Sequence, residues 1–355
     1  MENQEKIVQK FEQSQNSLVL QSSDLSLETI AAMVENGAID PSPRYQRRER
    51  WKHNAQAELI ESFLLNVPVP PVYLAEDDFG TYSVIDGKQR ITAIHKFLRG
   101  NLVLENLTGF PEINGLTFQD LPKPLQNALN IRPYLRVVTL LKQTNPELKY
   151  EVFTRLNTGG QPLLPQEIRN ALYRGPLNDL LFDLTSSQFL KQQLKIKTGN
   201  ESTFTEMFDV EMVLRFFTFN ENWRDFSGDA RRSMDDFMAT HKKSSKATLT
   251  KLADKYSDAL NRCEQIWGEN AFKRYAKPAF RDQFMAAIYD AQMIAASSLE
   301  PKAFDKIIKN KQKVTKSTEE LFLDARFEEA VRSSTNTPSR VRYRIEKVQD
   351  MLLKI

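Results

Sequence analysis

The hydrophobic pattern of the chain changes near Pro176, and this change constrains the fold more than any other feature of the sequence. Before Pro176, short β-branched and aromatic runs alternate with segments of helical periodicity. After it, apolar residues recur at helical spacing and no segment forms a convincing strand pattern. The 355 residues also exceed the roughly 100 to 200 of a typical domain. We therefore predict an α+β domain over residues 1–175 and an all-α helical domain over residues 176–355.

Individual elements follow from the spacing of apolar residues and from the residues that end each segment. In the first half the pattern predicts helices at Ser26 to Asn36, Asn54 to Leu65 and Pro146 to Leu156, and a strand at Tyr134 to Leu141. In the second half it predicts helices over Phe208 to Phe219, Thr248 to Trp267, Phe280 to Ala296 and Val341 to Leu353.

A strand that turns directly into a helix is the most informative local feature. Val72 to Leu74 and Thr81 to Ile85 have strand character, and the acidic turn Glu76 to Gly80 between them predicts a hairpin. The apolar spacing of Ile91 to Leu98 predicts the helix that follows. The run Asp86-Gly87-Lys88-Gln89-Arg90 therefore lies where the second strand ends and the helix begins.

The residues of this turn suit a phosphate group. A helix N-terminus presents unpaired N–H groups and about half a positive charge, and Gly87 allows a close approach to the backbone. Lys88 and Arg90 add positive charge at the helix end where the dipole does not stabilise cations. Asp86 offers carboxylate oxygens, the ligands that Mg²⁺ prefers; alternatively it caps the helix.

Composition excludes several other classes of protein. The N-terminus lacks a signal-peptide pattern and no apolar run approaches the ~18 residues of a membrane span, so we predict a cytoplasmic protein without a membrane partner. The single Cys263 excludes an internal disulfide. No G-x-x-x-x-G-K-[ST] or G-x-S-x-G run occurs. The net charge is only +3, but basic residues concentrate in Arg44 to Lys52, in Lys302 to Lys316, and at Arg340, Arg342, Arg344 and Lys347.

Three ordered segments resemble the signature of one protein family. They are Pro43-Arg-Tyr-Gln-Arg47 with Trp51, Val84 to Ile94, and Phe153 to Gly160 followed by Glu167-Ile-Arg-Asn170. Together they look like the N-terminal domain family of GmrSD-type, modification-dependent restriction systems, over roughly residues 20–240. The family is similar in fold to the ParB and sulfiredoxin group, so the resemblance implies a ParB/sulfiredoxin-like N-terminal domain with a small mixed sheet.

The resemblance also implies a nucleotide site. Asp86, Gly87, Gln89 and Arg90 would bind a nucleoside triphosphate, with Asp86, Gln89 and Arg90 as the catalytic candidates, Asp86 as the metal ligand and Mg²⁺ with ATP or GTP as cofactors. Tyr45, Gln46 and Arg47 would face the site from a loop. Lys88 departs from the family's usual D-G-Q-Q-R, which puts base choice and hydrolysis rate in question. Arg155 and Asn157 would complete the pocket, or belong to ordinary helix capping.

These features lead to one main hypothesis and two alternatives. The main hypothesis is a nucleoside-triphosphate-binding, NTP-hydrolysing module of a prokaryotic restriction or anti-phage defence system. Many relatives carry a His-centred nuclease domain, which this sequence lacks, so a separate nuclease subunit and DNA are the expected partners. The first alternative is a DNA-binding module without catalysis, based on the basic stretches. The second is a nuclease in its own right, although no carboxylate cluster beyond Asp86 supports it.

Overall fold

The computed structural model describes residues 4, 6–8, 11–12, 18–39, 53–144, 146–156, 164–199 and 201–355. The chain divides into two compact units, residues 1–172 and residues 173–355. Each unit has its own buried core. The assignment of a nucleotide-binding role to residues 1–175 and a docking role to residues 176–355 stays a prediction.

The first unit contains a four-stranded mixed sheet. Its strands are β1 (Leu20–Ser26), β2 (Val72–Asp78), β3 (Thr81–Asp86) and β4 (Tyr134–Leu140), in the order β1-β4-β2-β3. β1 pairs antiparallel with β4, β4 pairs parallel with β2, and β2 forms the predicted antiparallel hairpin with β3. The small mixed sheet expected of this half is thereby confirmed.

Several helices accompany this sheet in the part of the unit that the structure describes. They are α1 (Leu27–Glu35), α2 (His53–Leu64), α3 (Lys88–Leu98), α4 (Lys123–Ile131), α5 (Pro146–Leu156) and α6 (Pro165–Leu172). α3 buries Ile91, Ile94 and Phe97 in a core shared with Leu74 and Val84 of the hairpin. Each such side chain, when fully buried, contributes roughly 1.5 to 3 kcal/mol. The helix that starts at the Asp86–Arg90 turn is therefore held firmly against the strands that lead into it.

The second unit is built mainly from helices. They are α7 (Pro176–Leu184), α8 (Gln188–Gln193), α9 (Ser202–Thr205), α10 (Phe208–Asn222), α11 (Ala230–His241), α12 (Lys246–Trp267), α13 (Ala286–Ser297), α14 (Pro301–Lys309), α15 (Lys311–Leu321), α16 (Ala325–Arg332) and α17 (Pro338–Leu353). Buried aromatic rings of α10, α12 and α13 contact one another, such as Phe216 with Tyr256. Within the described part of the chain, no helix is both long and apolar enough to span a bilayer.

The α+β fold class with a helical second half is confirmed, and two local predictions need correction. The segment Phe280 to Ala296 is not one helix, because β6 (Ala279–Phe284) pairs with β5 (Lys273–Ala276) before α13 begins. The second unit thus contains a two-stranded hairpin. β1 was not predicted at all; its sequence has no alternation of apolar and polar residues, and it is held by its pairing with β4.

Candidate functional site

The Asp86–Arg90 turn joins β3 directly to α3. Gly87 is the N-cap residue with φ 97° and ψ 12°, and its carbonyl accepts the first helical hydrogen bond, from Ile91 N at 3.0 Å. A Cβ at this position would lie 2.7 Å from Cγ2 of Val72. Both the left-handed φ and this close contact require glycine. Gly87 is therefore explained by the protein's own geometry, whether or not a ligand approaches it.

Asp86 does not cap α3 but pairs with Arg90. Asp86 Oδ2 accepts a hydrogen bond from Arg90 Nη2 at 2.7 Å, and Arg90 Nη1 donates to the carbonyl of Pro70 at 3.1 Å. The Arg90 side chain is only 11% exposed, against 40% for Asp86. No side chain caps the helix at Gly87. The capping alternative for Asp86 is therefore wrong.

The electrostatics of the turn favour an anion. A guanidinium that is largely removed from water lies at the positive end of a helix, where the dipole does not stabilise it. The partly exposed Asp86 is its carboxylate partner. The backbone N–H groups of the first turn have no side-chain acceptor from the cap residue. A negatively charged ligand at this helix end would interact favourably with both the helix dipole and the guanidinium.

Two buried polar atoms near the turn lack hydrogen-bond partners within the described residues. They are Oε1 of Gln89 and Oγ1 of Thr92. A buried polar atom without a partner costs about 1 to 3 kcal/mol, so such atoms call for a reason. The two residues are three positions apart and so lie on one side of α3. Thr92 was not singled out from the sequence; its signal was a hydroxyl between the buried apolar residues Ile91 and Ala93.

The other predicted site residues are placed as follows. Lys88 is half-buried in the first turn of α3. Arg155 lies near the end of α5, is 78% exposed, and pairs with Glu151 Oε1 on the same helix at 2.5 Å. α5 packs against β3, but a contribution of Arg155 to the site stays a prediction. Tyr45, Gln46, Arg47 and Asn157 lie outside the described residues.

The structure brings two of the signature segments together at β3. α6 carries the Glu167-Ile-Arg-Asn170 segment and packs against β3, and Ser83 Oγ donates to the Ala171 carbonyl at 3.0 Å. Its polar residues Gln166, Glu167, Arg169 and Asn170 are almost completely buried. Gln166 Oε1 accepts from Arg169 Nη1 at 3.2 Å, and Gln166 Nε2 donates to Asn170 Oδ1 at 3.0 Å. These residues therefore support the strand that ends at Asp86.

The basic stretch at the end of the chain is mostly structural. Arg344 is buried and pairs with Asp290, while Arg340 pairs with Glu329. Arg342 donates to the carbonyl of Arg224 at 3.1 Å. These arginines are therefore engaged within the second unit.

Comparison with known proteins identifies the first unit. No curated protein and no solved structure matched the chain. The family model described as "GmrSD restriction endonuclease, N-terminal domain" matches residues 28–174. The matched range contains β2, β3, α3 and α6, and so the turn and the helix that supports it. Residues 28–174 of this chain thus belong to the N-terminal domain family of GmrSD restriction endonucleases, a family of restriction and defence systems.

Proposed function

We propose that the first unit binds a nucleoside triphosphate at the Asp86–Arg90 turn, as the nucleotide module of a restriction or anti-phage defence system. The observation that carries this proposal is Arg90. Its side chain is 11% exposed at the N-terminus of a helix that no side chain caps, and its carboxylate partner Asp86 is 40% exposed. The helix dipole favours anions at this end, and the oxygens of a phosphate match a guanidinium fork, so a phosphate can join Asp86 as a second anion beside Arg90.

In this proposal each residue of the turn has a separate task. The N–H groups at the start of α3 and the Arg90 guanidinium bind phosphate oxygens. The Asp86 carboxylate is partly exposed, which suits a ligand of Mg²⁺ bound together with the phosphates. Mg²⁺ would supply charge neutralisation for the phosphates. Lys88 adds positive charge. Tyr45, Gln46 and Arg47 would face the site from their loop, and Arg155 and Asn157 would complete the pocket at the phosphate or the attacking water.

The proposal extends to hydrolysis and to partners. The amide of Gln89 is assigned to orienting the attacking water, a role that amide side chains fill in other NTPases. The family's description as a restriction endonuclease supports DNA as a partner and a nuclease subunit as the companion of this module. The second unit is proposed to carry these docking functions.

Calorimetric titration of the full chain with ATP and with GTP, in the presence of Mg²⁺, tests the nucleotide site. We expect one of the two to bind, and Arg90→Ala to weaken it about ten- to a hundredfold, because a charge-assisted hydrogen bond contributes about 1.5 to 3 kcal/mol. Arg90→Lys keeps the positive charge but loses the planar guanidinium, so its nucleotide affinity should lie between those of the wild type and Arg90→Ala. Phosphate release from the same samples tests hydrolysis.

Arg99 provides a matched control at the other end of α3. It pairs with Glu28 at 2.8 Å and with Glu35 at 2.5 Å, so Arg99→Ala also removes an ion-paired arginine from the same helix. We expect Arg99→Ala to change stability without changing nucleotide affinity. The proposal is overturned if neither nucleotide binds the wild type, or if Arg90→Ala and Arg99→Ala have the same effect on binding.

A further inference from the structure

Six exposed lysines lie on two consecutive helices of the second unit, and we call them the lysine face. Lys302, Lys306 and Lys309 lie on α14, and Lys311, Lys313 and Lys316 lie on α15. All six side chains are exposed. Ile307 of α14 and Val314 and Thr318 of α15 are buried. The two helices therefore pack into the unit through these buried residues and expose the lysines to solvent.

The charges of the lysine face are not paired with Asp or Glu side chains of the described residues, unlike those of several other cations of this unit. Within residues 302–316 the only acidic residue is Asp305. None of the ion pairs formed by the described residues involves these six lysines, whereas Arg274, Arg340 and Lys273 are all ion-paired. Lys313 donates to the backbone oxygens of Lys354 and Ile355, and no Asp or Glu side chain of the described residues pairs with it. The nearest acids in sequence, Glu300, Glu319 and Glu320, flank the lysine face.

The spacing and surroundings of the lysines fit a polyanion. Lys302, Lys306 and Lys309 follow one another at four and three residues, so they lie on one side of α14 at intervals of about 4.5 to 6 Å along its axis. No large hydrophobic side chain between residues 302 and 316 is exposed. Protein–protein interfaces are depleted in lysine and rely on apolar anchors. A DNA backbone, by contrast, is bound through lysines that replace its counterions.

We propose that the lysine face binds the phosphate backbone of duplex DNA without reading its sequence. This inference rests on the DNA partner proposed above and not on the nucleotide site. Flexible lysines on two helices can follow phosphates but offer no planar groups aimed at base edges. Specificity for a modified base would therefore come from elsewhere.

The test measures binding of the full chain to a fluorescent duplex by anisotropy over a range of salt concentrations. In the triple variant Lys302→Gln, Lys306→Gln and Lys309→Gln, we expect weaker binding at low salt. The slope of log affinity against log salt should become shallower by about 2.7, since each phosphate contact contributes about 0.9. Duplexes of unrelated sequence should be affected equally.

A second triple variant carries the same change in net charge at another place. Lys246, Lys251 and Lys255 are exposed in the first half of α12, more than a turn before Arg262, where α12 contacts Phe304 of α14. Lys246→Gln, Lys251→Gln and Lys255→Gln together should leave the slope unchanged. Equal slopes for the two triple variants would overturn the lysine face, because net charge alone would then explain binding. A wild type that binds no duplex at low salt would remove the DNA partner itself and the lysine face with it.

Discussion

A buried guanidinium cluster of the second unit and Arg90 of the first unit differ in how completely their guanidinium groups are satisfied. In the second unit, Asp290 binds two arginines: Arg215 Nε and Nη2 donate to its two oxygens at 2.7 and 2.8 Å, and Arg344 Nη2 donates to Oδ2 at 2.7 Å. The exposed fractions of these side chains are 8% or less. In the first unit, Arg90 has one carboxylate partner, Asp86, which is 40% exposed.

The surroundings extend this contrast. The arginines of the Asp290 cluster also donate to groups of their own unit, Arg344 to the Thr335 carbonyl and Arg215 to Asn336 Oδ1 at 3.2 Å, and only Arg344 Nε is buried without a partner. On the same helix as Arg90, the side-chain oxygens of two further residues, Gln89 and Thr92, are buried without a partner among the described residues. A closed cluster of this kind stabilises the fold, whereas an open one is suited to receive a ligand.

The largest expected effect comes from opening the closed cluster. Asp290→Asn keeps the size of the side chain but leaves two buried guanidiniums without a carboxylate. Breaking a buried ion pair in this way costs about 3 to 5 kcal/mol, and we expect that loss in the free energy of unfolding measured with denaturant.

An exposed pair supplies the control for this substitution. Asp236 lies 3.9 Å from Arg232, and both side chains are about 70% exposed (71% and 68%). Asp236→Asn should therefore change the free energy of unfolding by less than about 0.5 kcal/mol. If Asp290→Asn cost no more than Asp236→Asn, the cluster would not be the closed structural element described above.

Asp209 is a second buried acid of this unit, and it differs from Asp290 because no guanidinium of the described residues pairs with it. Burial raises the pKa of Asp209 to about 6, although hydrogen bonds from the backbone N–H groups of Val210 and Asp209, the charge of Lys191 and a hydrogen bond with Thr185 act in the opposite direction. Since the folded state holds this proton more tightly than the unfolded state, the associated stability is present below about pH 4 and is lost as pH rises through 6.

Asp209→Asn removes this dependence. The difference in unfolding free energy between the variant and the wild type should shift by about 2.5 kcal/mol in favour of the variant between pH 4 and pH 7, because this interval covers most of the two-unit difference between the folded and unfolded pKa. Denaturant titrations of both proteins at the two pH values measure it. Parallel pH profiles would mean that Asp209 is as well compensated as Asp290.

How much of the fold could be predicted depends on whether a segment carries its own signal. The β2–β3 hairpin and α3 were predicted because apolar spacing, an acidic turn and Gly87 all act locally. The edge strand β1 was not, since its ordering depends on distant partners such as Arg136, which pairs with Asp24 at 2.9 Å. β6 was assigned to a helix because Phe280 and Phe284 are four residues apart, a spacing that also fits a helix.

The same limit applies to the candidate site. The sequence indicated that Lys88 and Arg90 stand at a helix N-terminus, but the contact of Arg90 with the Pro70 carbonyl depends on tertiary structure. The sequence also could not show that two basic stretches differ in their ion pairing. Arg340 and Arg344 pair with Glu329 and Asp290, which belong to other helices. The lysines of Lys302 to Lys316 have no such partners among the described residues. A sequence shows where basic residues are concentrated, but it does not show which of them are paired with acidic residues in the folded protein.

The smallest expected effect is also the most direct test of whether the open site is functional. Thr92→Val replaces the partnerless Oγ1 with a methyl group of nearly the same shape. The free protein should gain up to about 1 kcal/mol of unfolding free energy, because a buried polar atom without a partner is removed. If this hydroxyl is kept for the nucleotide, affinity should also fall roughly two- to tenfold, because the ligand then loses one hydrogen bond.

Thr144 is the matched control, since its buried Oγ1 is bonded to the N–H and the carbonyl of Val19, both at 3.2 Å. Thr144→Val should lower the free energy of unfolding by about 1 kcal/mol and leave nucleotide affinity unchanged. We expect Thr92→Val to raise stability and lower affinity, and Thr144→Val to lower stability without changing affinity. These two results together would show that the Thr92 hydroxyl serves ligand binding and the Thr144 hydroxyl serves the fold. If Thr92→Val weakened the fold and spared binding, Thr92 would belong with Thr144 and its hydroxyl would have no part in the site.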